Sequence, residues 1–439
     1  MNNQDLLRLD GFKTIGTEKV GDGLIVDIEL LPPAKIERCD CPPMTEIRKH
    51  GKRAVCFKDF PIQRQSVTLR IKRQRWRCQG CGKIKLEQLP GFDGYRNMTL
   101  RFRNQLAIDA IGRTFTDAAN MHSVKETLVR RVFAEYADER LAGYVPPMPR
   151  VLGMDEKFIN GRARFVIGDV EARTMLDLLP SRKTEVLEAY FHTLRDRQNV
   201  EVITQDMYWA YKEVNERYFR NAMIVIDKFH VVRYANSAVE IVRKAIQGLL
   251  DNEGRINMKR RIPLLGARPA TLNDERQREL KKLLNDYPTL NMVVQYKELF
   301  FEMYDCKTRT EAEKHFEAWA AMLPKEMEKP FAVILRIMKE KRWKPLILNY
   351  FDHPYTNAYI EGLNGLMDQI NRTGRGYNLE TLRAKALLRY GDVNRLDPCW
   401  APELVAEHGT GYLDTMFPMH RGHGIDLATF ERDLAADAF

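Results

Sequence analysis

The order of apolar segments between residues 150 and 230 restricts the fold of this 439-residue chain more than any other feature. Three short apolar runs follow one another with only turns between them: RVLGMDEKFIN, ARFVIGDVEA and TMLDLLPS. Helical and strand-like runs then alternate as TEVLEAYFHTL, NVEVITQD, MYWAYKEVNERYF and AMIVIDKFH. Short apolar runs bounded by turns are typical of strands. The pattern therefore predicts three strands in a meander, followed by two strands that alternate with helices.

This strand order is that of an RNase H-like sheet. From Val231 to about Leu348 strand-like runs nearly vanish, and amphipathic helical runs such as RTEAEKHFEAWAAMLP replace them. Further helical runs follow, in HPYTNAYIEGLNG and ETLRAKALLRY. We therefore predict a multidomain α/β + α fold class, in which an all-helical insertion interrupts an RNase H-like core.

Three acidic residues are placed to meet in such a core. Asp155 lies in the middle of the first strand and Asp206 at the end of the fourth, and these strands are neighbours in an RNase H-like sheet. Glu361 lies on a later helix, isolated from other charges. Three carboxylates without clustered His or Cys favour Mg²⁺ or Mn²⁺, and two such ions can act on a phosphodiester. Each acid alone would more often be a turn or cap residue, so the prediction depends on the combination.

Five of the seven cysteines lie within 43 positions, which favours a metal site over disulfides. Two pairs are predicted to bind a structural zinc ion: Cys39, Cys41, Cys78 and Cys81. Because the first pair is one residue shorter than the usual zinc knuckle, His50 or Cys56 could replace one of its members. A buried cysteine cluster that binds nothing is the alternative. Cys306 and Cys399 are interpreted as ordinary thiols.

Positive charge concentrates in the first third of the chain. Residues 1–150 contain 27 basic and 18 acidic residues, so they hold 9 of the 10 net charges. Between Arg48 and Lys85 there are 13 Lys or Arg residues and one acid, Asp59. A solvated face usually mixes the two signs, whereas a surface that faces phosphates does not. We therefore expect this region to bind nucleic acid.

Residues 99–141 have helical periodicity that is interrupted at Met121 and His122. Ser123 followed by Glu126 has the spacing of a capping box, which predicts a second helix from that point. A helix-turn-helix reader of DNA fits this pattern, although any small helical hairpin would look the same. The alternating run SVTLRIKRQRWRC, which leads into the second cysteine pair, predicts a long basic strand. The predicted DNA contacts lie on this strand and on the second helix: Arg73, Arg75, Arg77, Lys125, Arg130 and Arg131.

The predicted domain organisation has six parts, with a proline-rich linker at Tyr144 to Arg150. They are a zinc-binding, DNA-contacting domain (1–95), a helix-turn-helix (96–145), the first part of the core (146–230), the helical insertion (231–348), the last part of the core (349–395) and a C-terminal tail with a short final helix (396–439). No secretion signal and no run of about 18 apolar residues occurs. A soluble protein of the bacterial cytoplasm, associated with the nucleoid and not with a membrane, is therefore expected.

Together these motifs resemble the ISL3 family of insertion-sequence transposases, from the cysteine segment to about Tyr390. The motifs that carry the resemblance are the four cysteines, GMDE from Gly153, DMYWAY from Asp206, NAMIVIDKFHVV from Asn221 and TNAYIEGLN from Thr356. The resemblance implies a DDE transposase that binds the terminal inverted repeats of its element in double-stranded DNA. It also implies cleavage and transfer of DNA strands with two Mg²⁺ or Mn²⁺ ions, by a homodimer or higher oligomer that joins two ends.

The same resemblance assigns individual site residues. Asp155, Asp206 and Glu361 match the metal-binding triad, and Asp227 with His230 matches a D-x-x-H element whose His lies near the scissile phosphate. For His230 a structural imidazole hydrogen-bonded at a strand end is the alternative. The chain departs from the family in the short first cysteine pair and in an acid, Asp368, where related chains are basic.

Two other functions fit the same sequence. A nuclease of RNase H-like fold would hydrolyse DNA without joining it and would not need two DNA ends. A domesticated transposase that acts as a DNA-binding regulator would not need the three acids.

Overall fold

The structure, a computed structural model, describes residue 7 and residues 9–31, 39–63 and 65–394. Two compact units contain residues 1–142 and 143–439, and the boundary falls just before the proline-rich segment. Cys399 and the predicted final helix of the tail lie outside the described residues. Within those residues, no helix is both long and apolar enough to cross a membrane.

The first unit contains a seven-stranded sheet with strand order β1-β2-β4-β3-β7-β6, in which β5 pairs with β4. Its strands are β1 (Phe12–Val20), β2 (Gly23–Leu30), β3 (Ile47–Ile62), β4 (Gln65–Cys78), β5 (Ile84–Leu86), β6 (Phe92–Asp93) and β7 (Met98–Thr99). β3 and β4 form a long antiparallel hairpin in which Phe57 pairs with Leu69. Alternation along β4 buries Val67, Leu69 and Ile71 in the core of this unit. The long basic strand was predicted correctly.

Three helices follow this sheet: α1 (Leu100–Gly112), α2 (Phe115–Met121) and α3 (Glu126–Leu141). The first predicted helix is therefore two helices, because Thr114 starts α2 by accepting a hydrogen bond from the Asp117 amide. The capping box predicted at Ser123 is wrong. Ser123 has a left-handed backbone (φ 51°) and lies two residues before Lys125, the residue that precedes α3. The Glu126 side chain accepts instead from Thr116 Oγ1 at 2.8 Å.

The second unit contains a five-stranded sheet with strand order β10-β9-β8-β11-β12. Its strands are β8 (Val151–Ile159), β9 (Arg162–Asp169), β10 (Thr174–Leu179), β11 (Val202–Gln205) and β12 (Met223–Ile226). β8, β9 and β10 form the predicted antiparallel meander, and β11 lies parallel to both β8 and β12. The first and fourth of these strands are therefore neighbours, as predicted. The fifth is shorter than predicted, because Asp227 already precedes a helix.

Thirteen α-helices follow or interrupt these strands in the described part of the second unit. They are α4 (Thr184–Thr193), α5 (Trp209–Tyr218), α6 (Lys228–Gly248), α7 (Asn252–Arg260), α8 (Ile262–Gly266), α9 (Asp274–Asp286), α10 (Pro288–Phe301), α11 (Arg309–Met322), α12 (Lys325–Glu328), α13 (Ala332–Lys339), α14 (Lys344–Leu348), α15 (Ala358–Thr373) and α16 (Leu379–Tyr390). Residues 231–348, all of which are described, contain helices and no strand. Trp319 is buried among aromatic side chains there, and its Nε1 donates to the Tyr296 carbonyl at 2.9 Å.

Candidate functional site

Asp155 lies in the interior of the second unit, in the middle of β8, and is only 8% exposed. Its Oδ1 accepts the backbone N–H of Glu156 at 2.7 Å. Its Oδ2 accepts a hydrogen bond from Nδ2 of Asn364, at 2.6 Å, and Asn364 belongs to α15. This long-range bond brings the β8 carboxylate and the helix of Glu361 together.

Asp206 directly follows β11, the parallel neighbour of β8. One carboxylate oxygen, Oδ2, lies 3.0 Å from Nε2 of His230. The other, Oδ1, is buried and has no hydrogen-bond partner among the residues that the structure describes. A buried polar atom without a partner is unusual and requires an explanation, such as a bound ion.

Glu361 lies in the first turn of α15, and a pair of glycines lets this helix approach the sheet. Gly153 on β8 pairs in register with Gly168 on β9. A Cβ atom at either position would come within 2.7 Å of the Ile360 side chain. Ile360 is fully buried, so the two glycines form a flat seat for the residue next to Glu361.

Asn357 fixes the start of α15 and is fully buried. Its Nδ2 donates to the carbonyl of Met154 at 2.7 Å, and its Oδ1 accepts from the hydroxyl of Thr204. Its backbone N–H donates to Asp227 Oδ1 at 3.1 Å, and its carbonyl accepts the N–H of Glu361 at 2.9 Å. One side chain therefore ties the helix of Glu361 to the strands that position Asp155 and Asp206.

The carboxylates oppose one another's ionisation. Burial, with the charges of Asp206 and Glu361, raises the pKa of Asp155 to about 8. Burial, with the charges of Asp227 and Asp206, raises the pKa of Glu361 to about 7. Like charges in a poorly solvated site have this effect, so the three acids interact electrostatically. Their ligand oxygens are not among the groups of the described residues whose ligand atoms all lie within 4.8 Å of one another. A bound cation would reverse this rise in pKa.

His230 lies in the first turn of α6 and not at a strand end, which corrects the predicted structural environment of this imidazole. It lies between two acids, with Nδ1 3.5 Å from Asp227 Oδ2 and Nε2 3.0 Å from Asp206 Oδ2. Burial alone would lower the pKa of His230. Hydrogen bonds to both carboxylates and their charges outweigh it and raise the pKa to about 10. The imidazole is therefore protonated at neutral pH and links Asp206 to Asp227.

The donor set of this region fits a hard divalent cation. Three carboxylates supply oxygen atoms, and two buried oxygens, Asp206 Oδ1 and Asn364 Oδ1, have no hydrogen-bond partner in the described part of the chain. Oxygen ligands of this kind suit Mg²⁺ or Mn²⁺. Asp368, which departs from the family pattern, pairs with Lys157 Nζ of β8 at 2.5 Å and so helps to hold α15 on the sheet.

The four predicted cysteines of the first unit form a second candidate metal centre. The Sγ atoms of Cys39, Cys41, Cys78 and Cys81 lie within 4.8 Å of one another. Four sulfurs about 2.3 Å from one zinc ion would be about 3.8 Å apart, so the group fits zinc. Neither His50 nor Cys56 belongs to it, and Cys56 is exposed in the middle of β3. Hydrogen bonds from the Cys81 backbone and from Cys39 lower the pKa of Cys78 to about 6.

The six basic residues predicted to contact DNA have different environments. Arg73 donates to the carbonyl of Glu87 and is partly buried, as is Arg75, whereas Arg77 is exposed. The other three are exposed on or next to α3: Lys125, Arg130 and Arg131.

On α3, Arg130 pairs with Glu126 at 2.7 Å. Lys125 and Arg131 instead line a cleft with Lys58 of β3. Lys58 was not among the predicted contacts, because only the fold brings this strand beside α3.

Comparison with known proteins agrees with the motifs. The family model described as the ISL3 DDE transposase matches residues 152–386, which are 235 of the 439 residues. Over 394 residues the chain is 26% identical to the transposase for insertion sequence element IS1001 of Bordetella parapertussis. That similarity covers 84% of this chain and 93% of the relative.

Proposed function

The chain belongs to the ISL3 family of DDE transposases, and from that premise we propose its mode of action. It binds the terminal inverted repeats of an insertion sequence, and it cleaves and transfers DNA strands at Asp155, Asp206 and Glu361. The observation that supports this best is the buried Oδ1 of Asp206, an oxygen without a hydrogen-bond partner in the described chain beside two interacting carboxylates. A cation held by the three carboxylates would satisfy this oxygen.

The catalytic core has an RNase H-like fold in this proposal. The strand order β10-β9-β8-β11-β12, with one antiparallel meander and two parallel neighbours, supports it. The core consists of residues 146–230 and 349–395, and residues 231–348 form the helical insertion. Residues 1–95 form the zinc-binding domain, residues 96–145 the helix-turn-helix and residues 396–439 the tail.

Asp155, Asp206 and Glu361 would hold two Mg²⁺ or Mn²⁺ ions. When bound, such ions activate a water or a 3′-hydroxyl and stabilise the departing oxygen of a phosphodiester. The remaining contribution of the chain to catalysis is to position the reacting groups. Asn357 holds the start of α15 against β8 and β11, and with it Glu361.

His230 acts beside this triad. Its imidazole is held between Asp227 and Asp206, so that it orients the Asp206 carboxylate beside the scissile phosphate. In the D-x-x-H element, Asp227 directly precedes α6 and His230 lies in the first turn of this helix, so the two side chains are neighbours.

The first unit recognises double-stranded DNA. Cys39, Cys41, Cys78 and Cys81 would hold a zinc ion, which would fix the ends of the basic β3–β4 hairpin. Lys58, Lys125 and Arg131 neutralise backbone phosphates. Phosphate contacts position a protein on DNA, and neutralisation releases counterions, so binding weakens as salt increases. Because an element has two ends, the active form is a homodimer or higher oligomer.

The test is a cleavage and joining assay with Mg²⁺ on DNA that carries one or two copies of the neighbouring inverted repeat. Wild-type protein is expected to cleave efficiently only when two ends are present, and to produce joined strands. Equal cleavage of one-ended DNA without joined product would instead identify a nuclease. Binding to the repeat without cleavage under any metal would identify a regulator.

A further inference from the structure

Asn364 has a buried carboxamide, and only one of its two polar atoms has a hydrogen-bond partner among the described residues. The residue is 6% exposed, and Nδ2 donates to Asp155 Oδ2 at 2.6 Å. Oδ1 is also buried, and it accepts no hydrogen bond from any residue that the structure describes. Burying a carbonyl oxygen without a partner is unfavourable. This oxygen therefore needs a partner that the described chain does not supply.

The position of Asn364 restricts what that partner is. Glu361 and Asn364 are three residues apart on α15, so their side chains are neighbours on one face of the helix. A bound cation would keep Asp155 ionised. An ionised carboxylate only accepts hydrogen bonds, so the amide nitrogen then faces Asp155 and the oxygen is the atom without a partner. Buried oxygens without a partner among the described residues also occur on Glu156, next to Asp155 on β8, and on Asp206, whose charge interacts with that of Asp155. A cation held by Asp206 and Asn364 would satisfy the oxygens of these two residues.

We infer that Asn364 is a further ligand of the divalent cation, with Oδ1 coordinating the ion and Nδ2 orienting Asp155. The inference rests on the proposed function, which supplies the cation. Asn carbonyl oxygens are ordinary ligands of hard cations. A neutral ligand also suits the neighbourhood, because a fourth carboxylate next to Asp155 would repel it. One side of the helix then carries Asn357, Glu361 and Asn364, and only Glu361 among these three residues is charged.

Mn²⁺ binding to the full-length, zinc-loaded protein tests this assignment, with free Mn²⁺ measured by electron paramagnetic resonance. Asn364→Ala removes both ends of the carboxamide and is expected to weaken Mn²⁺ binding about 10–100-fold. Asn364→Asp loses the donor but keeps an oxygen, so it is expected to bind Mn²⁺ more tightly than Asn364→Ala. Gln369→Ala, which removes an exposed amide from the same helix, is the matched control and should bind as wild type does.

The outcomes separate this inference from the proposed function. If Glu361→Gln loses Mn²⁺ binding while Asn364→Ala keeps wild-type affinity, Asn364 is no ligand and the triad stands. If Asn364→Asp and Asn364→Ala weaken Mn²⁺ binding equally, the residue acts only as a hydrogen-bond donor to Asp155, which also overturns the inference. If wild-type protein with an occupied zinc site binds no Mn²⁺, the proposed metal site fails together with the inference.

Discussion

Gly168→Ala tests whether the glycine seat under Ile360 positions Glu361. The added Cβ would lie 2.7 Å from Ile360 Cδ1 and 3.0 Å from the carbonyl oxygen of Thr174. Carbon atoms in contact are ordinarily about 3.5–4.0 Å apart, so Ile360 must retreat by about 1 Å. Cδ1 is the end of a side chain, but Ile360 is fully buried, so its displacement is expected to shift α15 and to cost about 1–3 kcal/mol of unfolding free energy. A misplacement of this size at a catalytic group lowers the rate about 100-fold.

Two measurements check this reasoning: urea unfolding, and the rate of DNA cleavage with Mg²⁺. Gly365→Ala is the matched control for stability, because it lies on α15 with nothing within 4 Å of an added Cβ. That change is expected to stabilise the protein by about 0.5–1 kcal/mol. Ile360→Val removes Cδ1, so combining it with Gly168→Ala should restore part of the stability and cleavage rate that Gly168→Ala loses. Unchanged stability and cleavage in Gly168→Ala, or no recovery in the double variant, would refute the idea that the glycines under Ile360 position Glu361.

Three further predictions concern the first unit. Metal analysis should find about one zinc per wild-type chain, less than about half an equivalent in Cys78→Ser and a full equivalent in Cys56→Ser, whose thiol lies outside the cluster. Lys58→Ala should weaken DNA binding about equally for all sequences and reduce the slope of log affinity against log salt by about 1, measured by fluorescence anisotropy; an unchanged slope would exclude a phosphate contact. Although burial opposes it, hydrogen bonds and charge from Arg96 lower the pKa of Asp93 below its usual 3.8, so its stabilisation is present above about pH 4 and is lost as pH falls through the folded pKa. Asp93→Asn should therefore be less stable than wild type at pH 6 in urea unfolding and approach it at pH 3, and a constant difference would contradict this assignment.

Local patterns were sufficient to predict the five strands of the second unit, although not the end of β12. The strands that became β8, β9 and β10 are apolar runs separated by turns, and β11 is bounded by helical runs with clear periodicity. The pairing of β8 with β11 followed from that order, so the approach of Asp155 and Asp206 was predictable. The helix of Glu361 was predictable too, from the sequence around it.

The sequence did not reveal contacts that depend on how distant segments pack. The bond from Asn364 to Asp155 joins residues 209 positions apart, and its existence depends on the register of α15 on β8. The cleft residue Lys58 faces α3 only because the hairpin and the helix pack together. Local capping was also mispredicted at Ser123, since a left-handed turn there delays the start of α3 to Glu126.

The most direct test of the central claim compares wild type with Glu361→Gln in strand cleavage and joining, on paired inverted-repeat ends with Mg²⁺. The substitution removes one negative oxygen and leaves the size of the side chain nearly unchanged. If Asp155, Asp206 and Glu361 hold the catalytic ions, Glu361→Gln loses both activities while it still folds and binds the repeat. Retention of both activities with an unchanged requirement for metal would show that the triad is assigned wrongly.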